Sequence, residues 1–78
     1  MLEEEIVKET KRQLEKIEKI RKKVEVKRKG KKILENIDAY ISDCKYFLEK
    51  KKYLLAFEAI VWAWAWLEIC KELKILDF

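Results

Sequence analysis

The chain has 78 residues, of which 50% are hydrophobic and 44% are charged, and its formal net charge is +4. This length suits one domain with a modest core, and the composition excludes collagen-like, mucin-like and disulfide-scaffold proteins. Proline is absent and Gly30 is the only glycine, which disfavours Gly-rich phosphate loops and β-sandwiches with many turns. The sequence therefore predicts an all-α fold, a three-helix antiparallel bundle with a long first helix, in a single helical domain over residues 1–78.

Residue types that carry catalysis or bind metals are scarce. Histidine is absent, and Thr10 and Ser42 are the only candidate hydroxyl nucleophiles, so Ser/His/Asp and Cys/His mechanisms lack a general base. Cys44 and Cys70 are far apart, without a second cysteine at the spacing of a zinc or redox motif, which favours buried reduced thiols. We expect no enzymatic activity, no catalytic or metal-binding residues and no cofactor. The acidic residues that follow Met1, in place of a signal peptide, predict a cytoplasmic protein.

The first predicted helix spans about residues 3–28. Its apolar residues recur at steps of three and four, with Thr10 filling one gap, which marks one face of an amphipathic helix. At a rise of about 1.5 Å per residue this helix would be roughly 39 Å long. Gly30 is predicted to end it, because glycine is best suited to the left-handed backbone found after a helix C-terminus.

The first 32 residues are basic, with 13 Lys or Arg against 7 acids. Clustered basic residues neutralise phosphates in nucleic-acid-binding proteins, so a nucleic-acid-binding accessory protein is the alternative function. Interspersed glutamates favour the simpler interpretation of a solvated helix surface. The alternative would use helix 1 and the loop after it, through Arg21, Lys22, Lys23, Lys27, Arg28, Lys29, Lys31 and Lys32.

The second and third helices are predicted at about residues 31–50 and 53–74, with a break at the lysine cluster between them. Helix 3 is almost wholly apolar, since only Glu58 and Glu68 interrupt residues 54–70. A membrane span is the alternative, but the two carboxylates and the highly charged preceding helices favour a central core helix. A desolvated Glu58 would need a partner such as Arg21, Lys45 or a tyrosine hydroxyl.

Two apolar stripes run along helix 3 when its residues are placed at about 100° intervals. The first stripe contains Leu55, Ala59, Trp62, Trp66, Ile69 and Leu73, and Ala56, Ala63, Leu67 and Cys70 lie beside it. This first stripe and its neighbours are predicted to face the other two helices. The second lies nearly opposite, and either the long first helix covers it or it is exposed for another chain. We predict the second outcome, a protein interface formed by Phe57, Val61 and Trp64.

Helices 2 and 3 carry the stretches 40–49 (YISDCKYFLE), 56–59 (AFEA) and 62–68 (WAWAWLE). These resemble the archaeal domain-of-unknown-function family 357, which has a Tyr-x-x-Asp-Ala-x-x-Phe stretch, a short turn and an Ala-rich helix ending Tyr-Ala-x-Gly-x-Leu-Asp. The likeness covers about residues 33–78. This sequence departs from that pattern at Cys44, Lys51, Lys52, Trp62, Ala65 and Glu68.

The resemblance implies a compact helical bundle of archaeal origin and brings no activity with it. Abundant Lys and Glu, with Gln13 and Asn36 as the only amides, are typical of heat-adapted proteins. Together these features favour a non-enzymatic interaction or assembly domain that self-associates through helix 3. The expected partner is a second copy or another protein, with nucleic acid as the alternative and no membrane association.

Overall fold

The computed structural model describes residues 2–26 and 30–78. Three helices pack side by side into a body 42 Å long and about 17 Å across. Two very short antiparallel strands join the segment after the first helix to the end of the chain. The predicted all-α bundle is confirmed, and its elements in chain order are α1 (Leu2–Arg21), β1 (Glu25–Val26), α2 (Lys31–Glu49), α3 (Tyr53–Glu72) and β2 (Leu76–Asp77).

The helices run up, down and up. Leu2 and Ile6, at the start of α1, line the same surface groove as Tyr53 and Leu54 at the start of α3. The two helices therefore begin at the same end of the bundle, and α2 runs in the opposite direction. Helices α2 and α3 agree with the predicted positions to within two residues.

Helix α1 is shorter than predicted, because it ends at Arg21 and not near residue 28. Its last turn tightens, with the Val24 amide donating to the Arg21 carbonyl at 3.3 Å. Glu25 and Val26 then pair with Asp77 and Leu76. Pairing with a strand about fifty residues away is a tertiary effect that overrides local helical periodicity. Twenty residues give a helix of about 30 Å, not 39 Å.

Gly30 has a different role from the one predicted. Its φ of −91° and ψ of −7° are right-handed, and it is the N-cap of α2. A Cβ on Gly30 would lie 3.1 Å from the Ile75 carbonyl oxygen and from a Leu76 methyl carbon. Glycine is therefore favoured here because the end of the chain passes close to the backbone, and not because a left-handed residue ends α1.

The break between α2 and α3 is sharp although it contains neither glycine nor proline. Lys51 has a φ of 61°, the left-handed conformation that usually follows a helix C-terminus. The Lys52 amide donates to the Phe47 carbonyl at 2.8 Å, and the Lys51 amide donates to the Leu48 carbonyl. This pattern is a Schellman motif, which satisfies the last carbonyls of α2 and turns the chain into α3.

Helix α3 is the centre of the bundle. It contributes six of the buried residues, whereas α1 contributes Thr10 and Ile17. The Thr10 hydroxyl donates to the Ile6 carbonyl at 2.7 Å. This polar side chain on the apolar face of α1 therefore has its hydrogen-bond partner within the same helix. Small side chains let α3 approach its neighbours closely, and its buried residues are Ala56, Ala59, Ile60, Ala63, Leu67 and Cys70.

Two ion pairs connect α1 to α2. The Arg21 guanidinium donates to both carboxylate oxygens of Asp38, at 2.6 and 2.9 Å, and this pairing raises the pKa of Arg21 above its usual value. Lys45 lies 2.9 Å from Glu18. Since these side chains are partly exposed, they orient α1 more than they stabilise it.

Candidate interaction surface

One side of α3 faces solvent although it is strongly apolar. Its large side chains are 38% to 70% exposed. They recur at steps that keep them on one side of a helix, opposite the buried alanines. We call this side the open face of α3, and its large apolar members are Leu54, Leu55, Val61, Trp62, Trp66, Ile69 and Leu73.

The stripe predicted to be core is this open face. Of its six members only Ala59 is buried, whereas Trp62 and Trp66 are 48% and 38% exposed. The prediction was wrong for the large residues of this stripe, whereas the four residues predicted beside it are buried, namely Ala56, Ala63, Leu67 and Cys70. In a bundle this narrow, helices approach through their smallest side chains, and Ala56, Ala59 and Ala63 at steps of three and four are the signal that marks the buried side.

The three residues predicted to form an interface do not share a free surface. Trp64 is half-buried and packs against the core, and Phe57 is also half-buried, whereas Val61 is exposed on the open face. Within the described residues, the Trp64 Nε1 is buried without a hydrogen-bond partner. The candidate interface therefore still contains Val61. Its other central residues are Trp62 and Trp66, which lie on the exposed side of the helix.

Glu58 is the carboxylate on the open face, one turn from Leu54 and Trp62. It is exposed, and the two cations suggested as its partners are engaged elsewhere, Arg21 with Asp38 and Lys45 with Glu18. Water therefore solvates Glu58 in the isolated chain. Any apolar partner that covered the open face would desolvate this charge.

A groove continues the open face beyond the first turn of α3. It has a volume of about 450 Å³ and opens to solvent. Its apolar wall comes from Leu2 and Ile6 of α1 and from Tyr53, Leu54 and Leu55 of α3, and the charged residues Glu3, Lys51 and Lys52 also line it. The open face thus ends in a concave apolar site at one end and in the protruding Leu73 at the other.

The residues suggested for nucleic-acid binding are only partly brought together. Lys22 and Lys23 are exposed in the turn after α1, and Lys31 and Lys32 are exposed at the start of α2. Arg21 lines a cavity with Lys31, but Glu35 and Asp38 line it too, so its charge is mixed. Nucleic-acid binding stays a prediction, and the remaining candidates, Lys27, Arg28 and Lys29, lie outside the described residues.

Both cysteines have free thiols and are buried, as predicted. Burial raises the pKa of Cys44 to about 11, and the nearby Glu18 carboxylate adds to the effect. Burial also raises the pKa of Cys70. Since the thiolate is the reactive form, both side chains are poor nucleophiles near neutral pH. Among the residues that the structure describes, no group of three or more His, Cys, Asp or Glu side chains could hold a metal ion.

Helix α3 is also long and apolar enough to cross a membrane, judged by length and composition alone. One third of its most apolar 18-residue window is buried inside the bundle. A core helix of a water-soluble protein passes the same test, so this property by itself does not distinguish a lipid from a protein neighbour.

Comparison with known proteins gives a family but no activity. Protein AF1782 from Archaeoglobus fulgidus, solved by crystallography and attributed to DUF357, superposes with a TM-score of 0.92 at 49% identity, covering 99% of this chain and 97% of that one. No curated protein is significantly similar. The family model described as "Protein of unknown function (DUF357)" matches residues 7–76, so the likeness extends through most of α1 as well as α2 and α3. The chain belongs to the DUF357 family.

Proposed function

We propose that this protein is a non-enzymatic assembly domain whose open face docks onto the open face of a second copy. The single observation that carries the proposal is the solvent exposure of seven large apolar side chains on one side of α3. Monomeric soluble proteins rarely leave such a contiguous patch uncovered, and patches of this kind mark interaction sites.

The size of the patch fits a dimer. At about 200 Å² for a large apolar residue, the exposed fractions correspond to on the order of 700 Å². A stable protein interface of ordinary size covers about 800 Å² on each partner. The two tryptophans at its centre belong to the residue type that most often dominates binding energy. The open face is thus large enough to support association without help from the rest of the surface.

The charges around the patch favour a protein over a lipid surface. Glu58 lies on the open face, and Glu68 and Glu72 are exposed beside it. Carboxylates are costly in hydrocarbon. In addition, insertion of α3 across a bilayer would remove the helix that supplies half of the buried core residues. A protein partner leaves the core intact and desolvates only the carboxylate that lies on the open face itself, Glu58.

The residue types that are present support a non-enzymatic role. The sequence has no histidine, and burial keeps both thiols protonated at neutral pH. Two free cysteines also suit a reducing compartment, which supports a cytoplasmic location.

The test is the solution mass by light scattering over a hundredfold concentration range. We expect the wild-type chain to have twice the chain mass, and Trp62→Glu to have the mass of a folded monomer, because a carboxylate there cannot be buried against an apolar partner. Tyr46→Glu is the matched control, since Tyr46 is an aromatic residue of α2 with similar exposure, 52% against 48%. This control should stay dimeric.

Two results would overturn the proposal. One is a wild-type chain that stays monomeric at every concentration. The other is a dimer that Trp62→Glu leaves intact while circular dichroism shows that the variant is folded. Sedimentation with phosphatidylcholine vesicles distinguishes the lipid alternative, because a monomer that sediments with vesicles and loses this ability in Trp62→Glu would identify a membrane-binding face.

A further inference from the structure

We infer that the two copies pair through antiparallel α3 helices about a two-fold axis level with residue 64, with Leu73 of each copy seated in the groove beside Leu54 and Leu55 of the other. This inference rests on the proposed function and adds the orientation and register of the dimer. It follows from three features of the open face: its spacing, its shape and the charges at its ends.

The spacing of four of the seven large residues on the open face is the same in both directions, and Leu54, Val61 and Ile69 do not take part in this symmetry. Leu55, Trp62, Trp66 and Leu73 are separated by seven, four and seven positions. In an isologous two-fold contact, residue i meets residue j while j meets i. An antiparallel pair centred at residue 64 therefore places Trp62 opposite Trp66 and Leu55 opposite Leu73. A parallel pair would place each residue opposite itself, at the same end of both copies.

The shape of the open face is complementary under the same operation. Leu73, the C-cap of α3, is 63% exposed at one end. The apolar groove of about 450 Å³ lies at the other end, with Leu54 and Leu55 in its wall. Antiparallel pairing brings a protruding side chain to a concave apolar site twice, once at each end of the dimer. In a parallel pair, the grooves of the two copies would face each other, and so would the two Leu73 side chains.

The charges at the two ends of α3 favour the same orientation. Lys51 and Lys52 precede the helix, and Glu72 is its last residue. In the antiparallel register, Lys52 lies within about 6 Å along the axis of Glu72 from the second copy. The helix dipoles also oppose each other, so each positive N-terminus approaches a negative C-terminus. Parallel pairing would bring Lys51 and Lys52 of both copies together at one end, whereas the other end carries both signs, with Lys71 and Lys74 beside Glu72.

Thiol crosslinking tests the orientation. We expect a 1:1 mixture of Leu54→Cys and Leu73→Cys chains, treated with a short bis-maleimide, to give mixed covalent dimers. Each variant alone should give few, because the introduced thiols of its two copies would be separated along the axis by about 27 Å for Leu73→Cys and about 30 Å for Leu54→Cys. Both positions are more than 60% exposed, so the substitutions leave the core intact. The wild-type chain, whose two thiols are buried, measures the background.

The crosslinking pattern distinguishes the possible orientations of the two α3 helices. Crosslinks that need the mixture support the antiparallel register, provided that Tyr46→Cys mixed with Leu73→Cys stays uncrosslinked. Crosslinks formed by each variant alone indicate parallel helices, which overturns this inference and leaves the proposed function standing. Absence of crosslinks in chains that light scattering shows to be dimeric overturns the inferred register, and the mass of Trp62→Glu then decides whether the open face is the interface. Monomeric chains refute the proposed function itself.

Discussion

The two sides of α3 differ in the opposite way from most helices of soluble proteins. The buried side is built mainly from small residues, with Ala56, Ala59 and Ala63 in contact with the rest of the core. The open face has two tryptophans and four residues that are leucine or isoleucine, all exposed to at least 38%. Apolar character therefore does not separate inside from outside in this helix, whereas side-chain size does.

The two sides of α3 are under different packing constraints. Three helices in a body only 17 Å across must approach closely, and small side chains permit this approach. The open face has no such limit, so it can present large side chains that bury much area against another molecule. The inner side thus fits the close packing of the helices, and the open face is the side on which the proposed association would bury apolar area.

The largest expected effect is the loss of a large side chain from the inner side. Leu67 is fully buried, so Leu67→Ala should lower the free energy of unfolding by about 2–5 kcal/mol through lost burial and a residual cavity. Leu54→Ala makes the same chemical change on the open face, where Leu54 is 70% exposed. It should change the free energy of unfolding by at most about 0.5 kcal/mol. Urea denaturation at a concentration that keeps the chains monomeric measures both.

Equal losses from Leu67→Ala and Leu54→Ala would contradict the division of α3 into an inner side and an open face. A large loss from Leu54→Ala alone would mean that the solvent-exposed side is part of the monomer core.

An intermediate effect is expected when the inner side is made larger. Ala63 has no exposed surface, so Ala63→Leu should overpack the contact between helices and cost about 1–3 kcal/mol of unfolding free energy. Ala39 is exposed on α2, and Ala39→Leu controls for helix propensity, with an expected change near zero. Thermal unfolding followed by circular dichroism compares the two. A stabilised Ala63→Leu variant would indicate a cavity beside the alanines and would contradict packing by small residues.

The smallest effect concerns Glu58, the carboxylate of the open face. If a second copy covers this face, Glu58 loses solvation, so Glu58→Gln should tighten the dimer by about 1 kcal/mol, close to fivefold in Kd. Glu49→Gln, at the exposed end of α2, removes the same charge far from the open face and should leave Kd nearly unchanged. Sedimentation equilibrium measures both constants. Equal effects would assign the change to net charge and not to burial of Glu58.

Much of the fold could be predicted because its signals are local. The amphipathic stripe of α2, the polar break near Lys51 and the lack of turn residues define the helices within a few positions. The end of α1 could not be predicted, because it depends on β1 pairing with β2 from the other end of the chain. The role of Gly30 was missed for the same reason, since its close neighbours are Ile75 and Leu76.

The candidate site shows the same limit more sharply. The sequence predicted that part of α3 would be exposed and apolar, and this is correct as far as Val61, but Trp62 and Trp66 were assigned to the core. A helix that is apolar on nearly all sides carries little periodic signal to orient it. Only the spacing of the alanines distinguishes its two sides, and that signal becomes decisive once the closeness of the helices is known.

The sequence by itself determined that this chain forms three helices, that the third is apolar, and that catalytic groups are scarce, because these properties follow from residue type and local spacing. The tertiary structure decided where α1 ends, what Gly30 makes room for, and which side of α3 meets water. Those outcomes depend on the distance between elements that are remote in sequence, and that distance is set by how the side chains of all three helices pack together.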